Sequence, residues 1–365
     1  MILHAYFARR FAATFFLVLG IFLGVVLLID LVDQVRRFEG DGVAFSALVG
    51  LTLLSVPQTL YTILPLITII ATLTLFLTLA RTSELVVSRA SGRSAIKALY
   101  GPVAVMLLIG IVAVGAYNPV VAAATAQYDR LSDRLRGIPA PTLSVGDEGL
   151  WLRQADGMGG RTVIAAEAMG GGGTELEDVS FYRFDAEGTV RARVDATSAT
   201  LADGQWALRD AKRWDFTLPN PEADARRFDT WNVPSDLSAD YIADSFADPD
   251  EIPIWKLPGF IADMEAAGFS PQRHLVYFHS ELATPLMLTA MMLVGAGFTM
   301  RHTRFGRTGS MVLAALATGF GLFFLRDFAQ ILGENGQISP ILAAWGPPVA
   351  SLCLPLGLIL HWEDG

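Results

Sequence analysis

Two patterns of hydrophobic and polar positions divide this chain, and the boundary between them is sharp. Residues 11–29, 58–80, 102–121, 276–300, 310–325 and 338–360 are apolar with few interruptions. A helix needs roughly 20 such residues to cross a hydrocarbon core, so each stretch predicts a membrane-spanning helix. Between the third and the fourth lies a region of different period. Residues 149–154, 162–168, 179–184, 190–200 and 206–213 alternate apolar and polar side chains in the manner of half-buried strands. Turn formers separate them, Asp185-Ala186-Glu187-Gly188 in one place and Asp203-Gly204 before Trp206 in another. Short strands with short connections predict a β-sandwich or jelly roll, whose edges can accept a strand from another protein. A helix is expected over about residues 255–267, closing at Gly268.

One apolar region needs a decision. Residues 43–80 are almost uncharged and too long for a single span. Pro57 and Pro65 interrupt them, and proline removes a donor and disfavours helix in the residue before it. Residues 43–56 are therefore either an interfacial helix or a span of their own. Charge in the short loops chooses. Arg9 and Arg10 form one basic cluster, Arg81, Arg89, Arg93 and Lys97 a second, and Arg301, Arg304 and Arg307 a third. With one span in the disputed region all three clusters share a side. With two, they split and break the positive-inside rule. The expectation is six spans, both termini cytoplasmic, and the large insert outside.

Composition agrees. Hydrophobic residues make up 52% of the 365 and charged residues only 17%, where a soluble chain carries about 25%; mean hydropathy is +0.44. The charge is unevenly placed. Residues 123–273 hold 26 of the 36 acids and 15 of the 27 basic residues, a net −11 set against +2 elsewhere. An insert of that sign repels phosphate backbones, which argues against nucleic acid as a partner. The single cysteine, Cys353, can form no intrachain disulfide and reads as a small buried hydrophobe. The first apolar stretch exceeds a signal peptide's core of roughly 7–15 residues and ends in Asp30-Leu31-Val32-Asp33 without a cleavage pattern, so it reads as a retained helix.

Catalytic chemistry has no visible apparatus. The chain lacks a P-loop, a G-x-S-x-G turn and an H-E-x-x-H helix. His4, His274, His279, His302 and His361 are scattered and predict no metal site. Gly170 to Gly173 form a flexible loop with no lysine and no helix start behind it. Three polar features remain. The segment from Arg81 to Gly92 carries Glu84, Leu85 and Arg89 between spans two and three. It suits either a lipid-anchored loop or a short helix docking in a partner's groove. Arg36 and Arg37 after the first span, with Arg130, Arg134 and Arg136 after the third, gather guanidiniums at the outer mouth, where headgroups or phosphates would pair with them. Arg326 and Asp327 form a helix-end charge pair in the fifth span.

Several strings, in this order and at these topological positions, resemble the lipopolysaccharide-export permease family LptF/LptG, also called YjgP/YjgQ. They are Asp30-Leu31-Val32-Asp33-Gln34-Val35-Arg36-Arg37, Leu53-Leu54-Ser55-Val56-Pro57, Ser83-Glu84-Leu85-Val86-Val87-Ser88-Arg89-Ala90-Ser91-Gly92 and Gly149-Leu150-Trp151. The Val-Asp-Gln and Glu-Leu-Val-Val strings look closer to the LptG branch. The resemblance implies a membrane α-helical bundle of three plus three helices with an inserted periplasmic all-β jelly-roll domain. Residues 1–122 would hold the first three helices and a coupling helix near 81–97, 123–273 the periplasmic domain, and 274–365 the last three helices. It also implies a permease that is no enzyme itself, paired with a paralogue LptF, driven by a cytoplasmic ATPase dimer LptB that holds the ATP and Mg, and joined by a single-span LptC. Lipopolysaccharide would pass from the inner membrane to a chain of jelly rolls. Arg81, Glu84, Leu85, Arg89 and Gly92 would then belong to the coupling helix. Arg36, Arg37, Arg130, Arg134 and Arg136 would face lipid phosphates. Asp30 departs from the family, where a basic residue can stand nearby. The competing expectations are a membrane-anchored assembly scaffold and a permease for another lipid or for lipoproteins. Permeases of the last kind carry their large domain between spans one and two, unlike this chain.

Overall fold

The structure, a computed structural model, describes residues 2–40, 42–82, 84, 95–136, 143–146, 149–155, 161–170, 174–185, 188–202, 204–235, 248–266, 270–300 and 308–363. Its helices are α1 (Ile2–Arg37), α2 (Phe45–Thr62), α3 (Leu64–Arg81), α4 (Ala95–Val112), α5 (Asn118–Arg136), α6 (Leu257–Ala266), α7 (Gln272–Thr299), α8 (Thr308–Glu334) and α9 (Pro340–Glu363). A single π-helical turn, Ala113–Tyr117, joins α4 to α5. Among the described residues, six helical stretches are long and apolar enough to cross a membrane: His4–Arg37, Leu64–Arg81, Lys97–Arg136, Gln272–Thr299, Gly309–Glu334 and Pro340–Gly357. The number is the one expected, but the helices overrun the apolar runs. Polar residues do not interrupt a helix that satisfies its own backbone, so α1 reaches 36 residues. At about 1.5 Å per residue it is roughly 54 Å long, well beyond a hydrocarbon core of about 30 Å. The third span likewise continues through α5 to Arg136.

The disputed region divides at Ile63, not at Pro57. Pro57 lies inside α2. Pro65 stands in the first turn of α3, where its missing N–H would be unpaired in any case. The separate helix α2 precedes the second span.

One helical core joins Phe11 and Phe15 of α1, Ile67 and Phe76 of α3, Met106 of α4, and Leu288 and Met292 of α7. The most apolar stretch of α7 is 78% buried, against 17% in α1 and 11% in α8. Thus α7 is the central post, while α1 and α8 keep apolar faces (Phe16, Ile21 and Leu28; Phe320, Phe324 and Phe328) open to lipid or to another chain. Cys353 belongs to the exposed surface of α9, so the expectation of a buried hydrophobe does not hold.

The β-rich unit is formed by Ile138–Asp248 and Pro258–Pro271. Among the described residues, seven antiparallel strands follow one another in chain order: β1 (Leu143–Gly146), β2 (Gly149–Ala155), β3 (Arg161–Gly170), β4 (Glu175–Phe184), β5 (Val190–Ala202), β6 (Gln205–Asp215) and β7 (Arg226–Pro234). The five strands expected from alternation lie within β2 to β6. The sheet is open, with β1 and β7 as its edges. It is also rolled, because Gln154 of β2 donates to the Pro234 carbonyl at 3.0 Å and accepts from Ser235 at 2.8 Å. The core fills with Leu152, Ile164, Phe181, Val194, Leu208 and a fully buried Trp206. Alternation slips in register on three neighbouring strands. Leu176 and Val179, Ala196 and Ala199, and Leu208 and Ala211 all point inward three residues apart. The intervening extra residues include Asp178 (φ 44°) and Asp210 (φ 51°), left-handed positions that aspartate tolerates better than most side chains. Pairing keeps the same register on either side of this row, so the slip is shared by the three strands and is not a bulge in any one of them. Trp206→Ala should destabilise this unit by about 3–5 kcal/mol, read as earlier proteolysis of the insert along a urea series; an unchanged midpoint would remove Trp206 from the core's support.

Candidate functional site

The helix-end segment after α3 is built first by its own chain. Glu84 accepts from Arg10 Nη1 at 2.6 Å on Oε1 and 2.7 Å on Oε2, from the Tyr6 hydroxyl at 2.8 Å, and from the Thr82 hydroxyl at 2.9 Å. A carboxylate has about four lone-pair sites, and here both oxygens are engaged twice. Partial burial works against the charged form. The hydrogen bonds from Arg10, Tyr6 and Thr82 outweigh it and hold the Glu84 carboxyl below its ordinary range. Arg81, in the last turn of α3, is exposed beside it. Leu85, Arg89 and Gly92 lie outside the described residues. Tyr6 and Arg10 were not foreseen as part of this site. Their signal was present in the chain: four residues apart, they share one face of α1.

The outer arginines converge only in part. Arg36 and Arg37 close α1, and Arg134 and Arg136 close α5. The two helix ends meet over a small core of Phe38, Leu48 and Leu51, covered by Tyr128, Leu131 and Leu135. Gln34 donates to the Tyr128 hydroxyl at 3.0 Å and pins them together. Arg136 lies over the Phe38 ring at 5.4 Å. Arg37 pairs with Asp33 at 2.7 Å, but both side chains are about half exposed (51% and 48%), so the pair is weak and can open. Arg36, Arg130 and Arg134 are exposed. Helix C-termini attract cations by themselves, and this corner holds more guanidiniums than two helix ends require.

Asp30 accepts a hydrogen bond from the Ser55 hydroxyl and so ties α1 to α2. Arg326 of α8 stands where its charge acts on Glu281, Tyr61 and Tyr277, while Asp327 is half-buried. Among the described residues, no three His, Cys, Asp or Glu stand close enough to hold a metal ion.

Comparison with known proteins adds what geometry alone lacks. The family model described as "Lipopolysaccharide export system permease LptF/LptG" matches residues 5–361. The LptG permease protein of Escherichia coli (strain K12) is 26% identical over 367 residues, covering 99% of this chain and 98% of that one. The corresponding protein of Haemophilus influenzae (strain Rd) is 22% identical, covering 99% and 97%. The match thus runs from the first span through the β-rich insert to the last, and the chain belongs to the lipopolysaccharide export permease family LptF/LptG.

Proposed function

We propose that this permease binds the phosphorylated head of lipopolysaccharide at the corner formed by Arg36, Arg37, Arg130, Arg134 and Arg136. The convergence of the α1 and α5 ends over Phe38 carries the reading. Guanidinium recognises phosphate through paired, charge-assisted hydrogen bonds. The acyl chains would slide along the open apolar faces of α1 and α8. Exposing them to water would cost about 0.8 kcal/mol per CH₂, and passage from lipid to apolar protein avoids most of that. With the basic loops cytoplasmic, both termini lie inside and the β-rich insert lies in the periplasm, where its open edges suit strand-to-strand transfer to further jelly rolls. The apolar faces of α1 and α8 suit a paralogous LptF partner and a single-span LptC. ATP and Mg belong to an LptB dimer docking around Arg81 and Glu84.

Charge reversal tests the lipid site. Arg37→Glu combined with Arg136→Glu should lower co-purified lipopolysaccharide by at least about tenfold, since a charge-assisted hydrogen bond contributes about 1.5–3 kcal/mol. The ATPase should remain bound. Undiminished lipid in the double variant would exclude this corner as the head-group site.

A further inference from the structure

The helical unit contains a buried polar cluster that neither site uses. Glu281 lies on α7, about two and a half turns from Gln272, and is 3% exposed. A carboxyl inside a membrane helix is costly and is usually paired or functional. Tyr61 of α2 donates its hydroxyl to Glu281 Oε2. Asn118, at the start of α5, donates Nδ2 to the same oxygen at 3.2 Å and lies 3.3 Å from the Tyr277 hydroxyl. Arg326 of α8 and Asp250 act on the carboxyl with opposite charge.

The other end of the Asn118 carboxamide holds a different piece of chain. Its Oδ1 accepts the backbone N–H of Ile254 at 3.0 Å. Gln58 donates to Asp250 at 3.1 Å, and the Trp255 indole donates to the Gly115 carbonyl at 3.0 Å. Gly115 lies in the π-helical turn, and such turns gather at functional places in helices. Pro249–Leu257 is therefore held by the helices at three points, with Ile254 and Leu257 buried. The chain on either side of it, through Asp248 and from Pro258, belongs to the β-rich unit.

We propose that Glu281, Tyr61 and Asn118 form a latch that positions Pro249–Leu257 on the helices, so that a shift of α7 against α2 is passed along the chain into the β-rich insert. The latch is a geometric claim. Its purpose, coupling helix motion to lipid transfer, rests on the permease function proposed above. One carboxylate joins α2 and α7, and one carboxamide joins that pair to the strap. Removing the carboxylate leaves buried donors without an acceptor and frees the carboxamide to turn.

The test uses the full-length permease assembled with its ATPase in nanodiscs containing lipopolysaccharide. Two quantities are read: amide exchange in the peptide spanning residues 252–257, and lipid released per ATP hydrolysed. Asn118→Ala should speed exchange at Ile254 by about tenfold, the effect of one lost buried hydrogen bond. Glu281→Leu should do so by several-fold, and the milder Tyr61→Phe by about threefold, by weakening the same bond indirectly. Glu281→Gln, still an acceptor for Tyr61, should remain near wild type. In the first two variants lipid released per ATP should fall several-fold with ATP hydrolysis unchanged, and Glu281→Gln should restore it. Unchanged exchange in Asn118→Ala and Tyr61→Phe overturns the latch. Faster exchange with undiminished lipid per ATP overturns its coupling role. A wild-type assembly that releases no lipid would instead count against the permease function, and exchange would still decide the latch.

Discussion

Glu84→Ala is expected to abolish co-purification of the ATPase in mild detergent while the spans and the β-rich insert remain intact. Truncating one partner of a hydrogen-bonded charge pair costs about 2–5 kcal/mol, so a hundredfold loss of affinity is the expected order. The structure adds a second variable. Glu84 is already engaged by Arg10, Tyr6 and Thr82, so under the proposed docking it would either reach the ATPase directly or seat the segment that does. Arg10→Ala separates the two. If Glu84 acts by direct contact, Arg10→Ala frees its carboxylate and leaves docking intact or tighter. If it acts by seating the segment, Arg10→Ala weakens docking as Glu84→Ala does. Acid should act in the same direction as the alanine. The folded carboxyl is held below its ordinary range, so its contribution is complete above that range and is lost as pH falls through the lowered value. Normal ATPase recovery with Glu84→Ala would remove this segment from the coupling interface.

The second large effect is expected at a helix crossing. A Cβ added at Gly110 of α4 would stand 2.5 Å from the Cα and 2.9 Å from the Cβ of Pro285 on α7. Proline backbone cannot give way like the tip of a side chain, so the two helices must separate. Small residues are what permit such close approach in a membrane, where packing replaces the hydrophobic effect as the force between helices. Overpacking typically costs about 1–3 kcal/mol, occasionally more, and Gly110→Leu should lie at the upper end, since α7 is the central post. Gly50→Ala in α2 is the control. Nothing lies within 4 Å of its added Cβ, and alanine favours helix by up to about 1 kcal/mol. Thermal aggregation in detergent should therefore begin earlier for Gly110→Leu and at or above the wild-type temperature for Gly50→Ala. Equal onsets for the two would mean that the α4–α7 crossing contributes little.

The chain's own pattern determined the number of spans and the β-rich nature of the insert. Both follow from solvent: lipid admits only helices and closed barrels, and a long unbroken apolar run fits the helix, while a half-wet sheet must alternate. The resemblance in short strings led correctly to the family. Other features depended on partners remote in sequence. The edge strand β7 is mostly exposed and presents no clean apolar face to read. The slip of alternation at Asp178 hid the start of β4, which the pattern placed only from residue 179. The break at Ile63 instead of Pro57 follows from which turn each proline occupies within its helix. Glu84 was visible as a candidate, but its seat on Arg10 lies 74 residues away. Glu281 and Tyr61 are 220 apart, and Asn118 and Ile254 are 136 apart. A pattern along the chain reports which side of an element is apolar. Which polar side chains meet is settled only when the helices pack, because burial leaves each of them the few partners within hydrogen-bond reach.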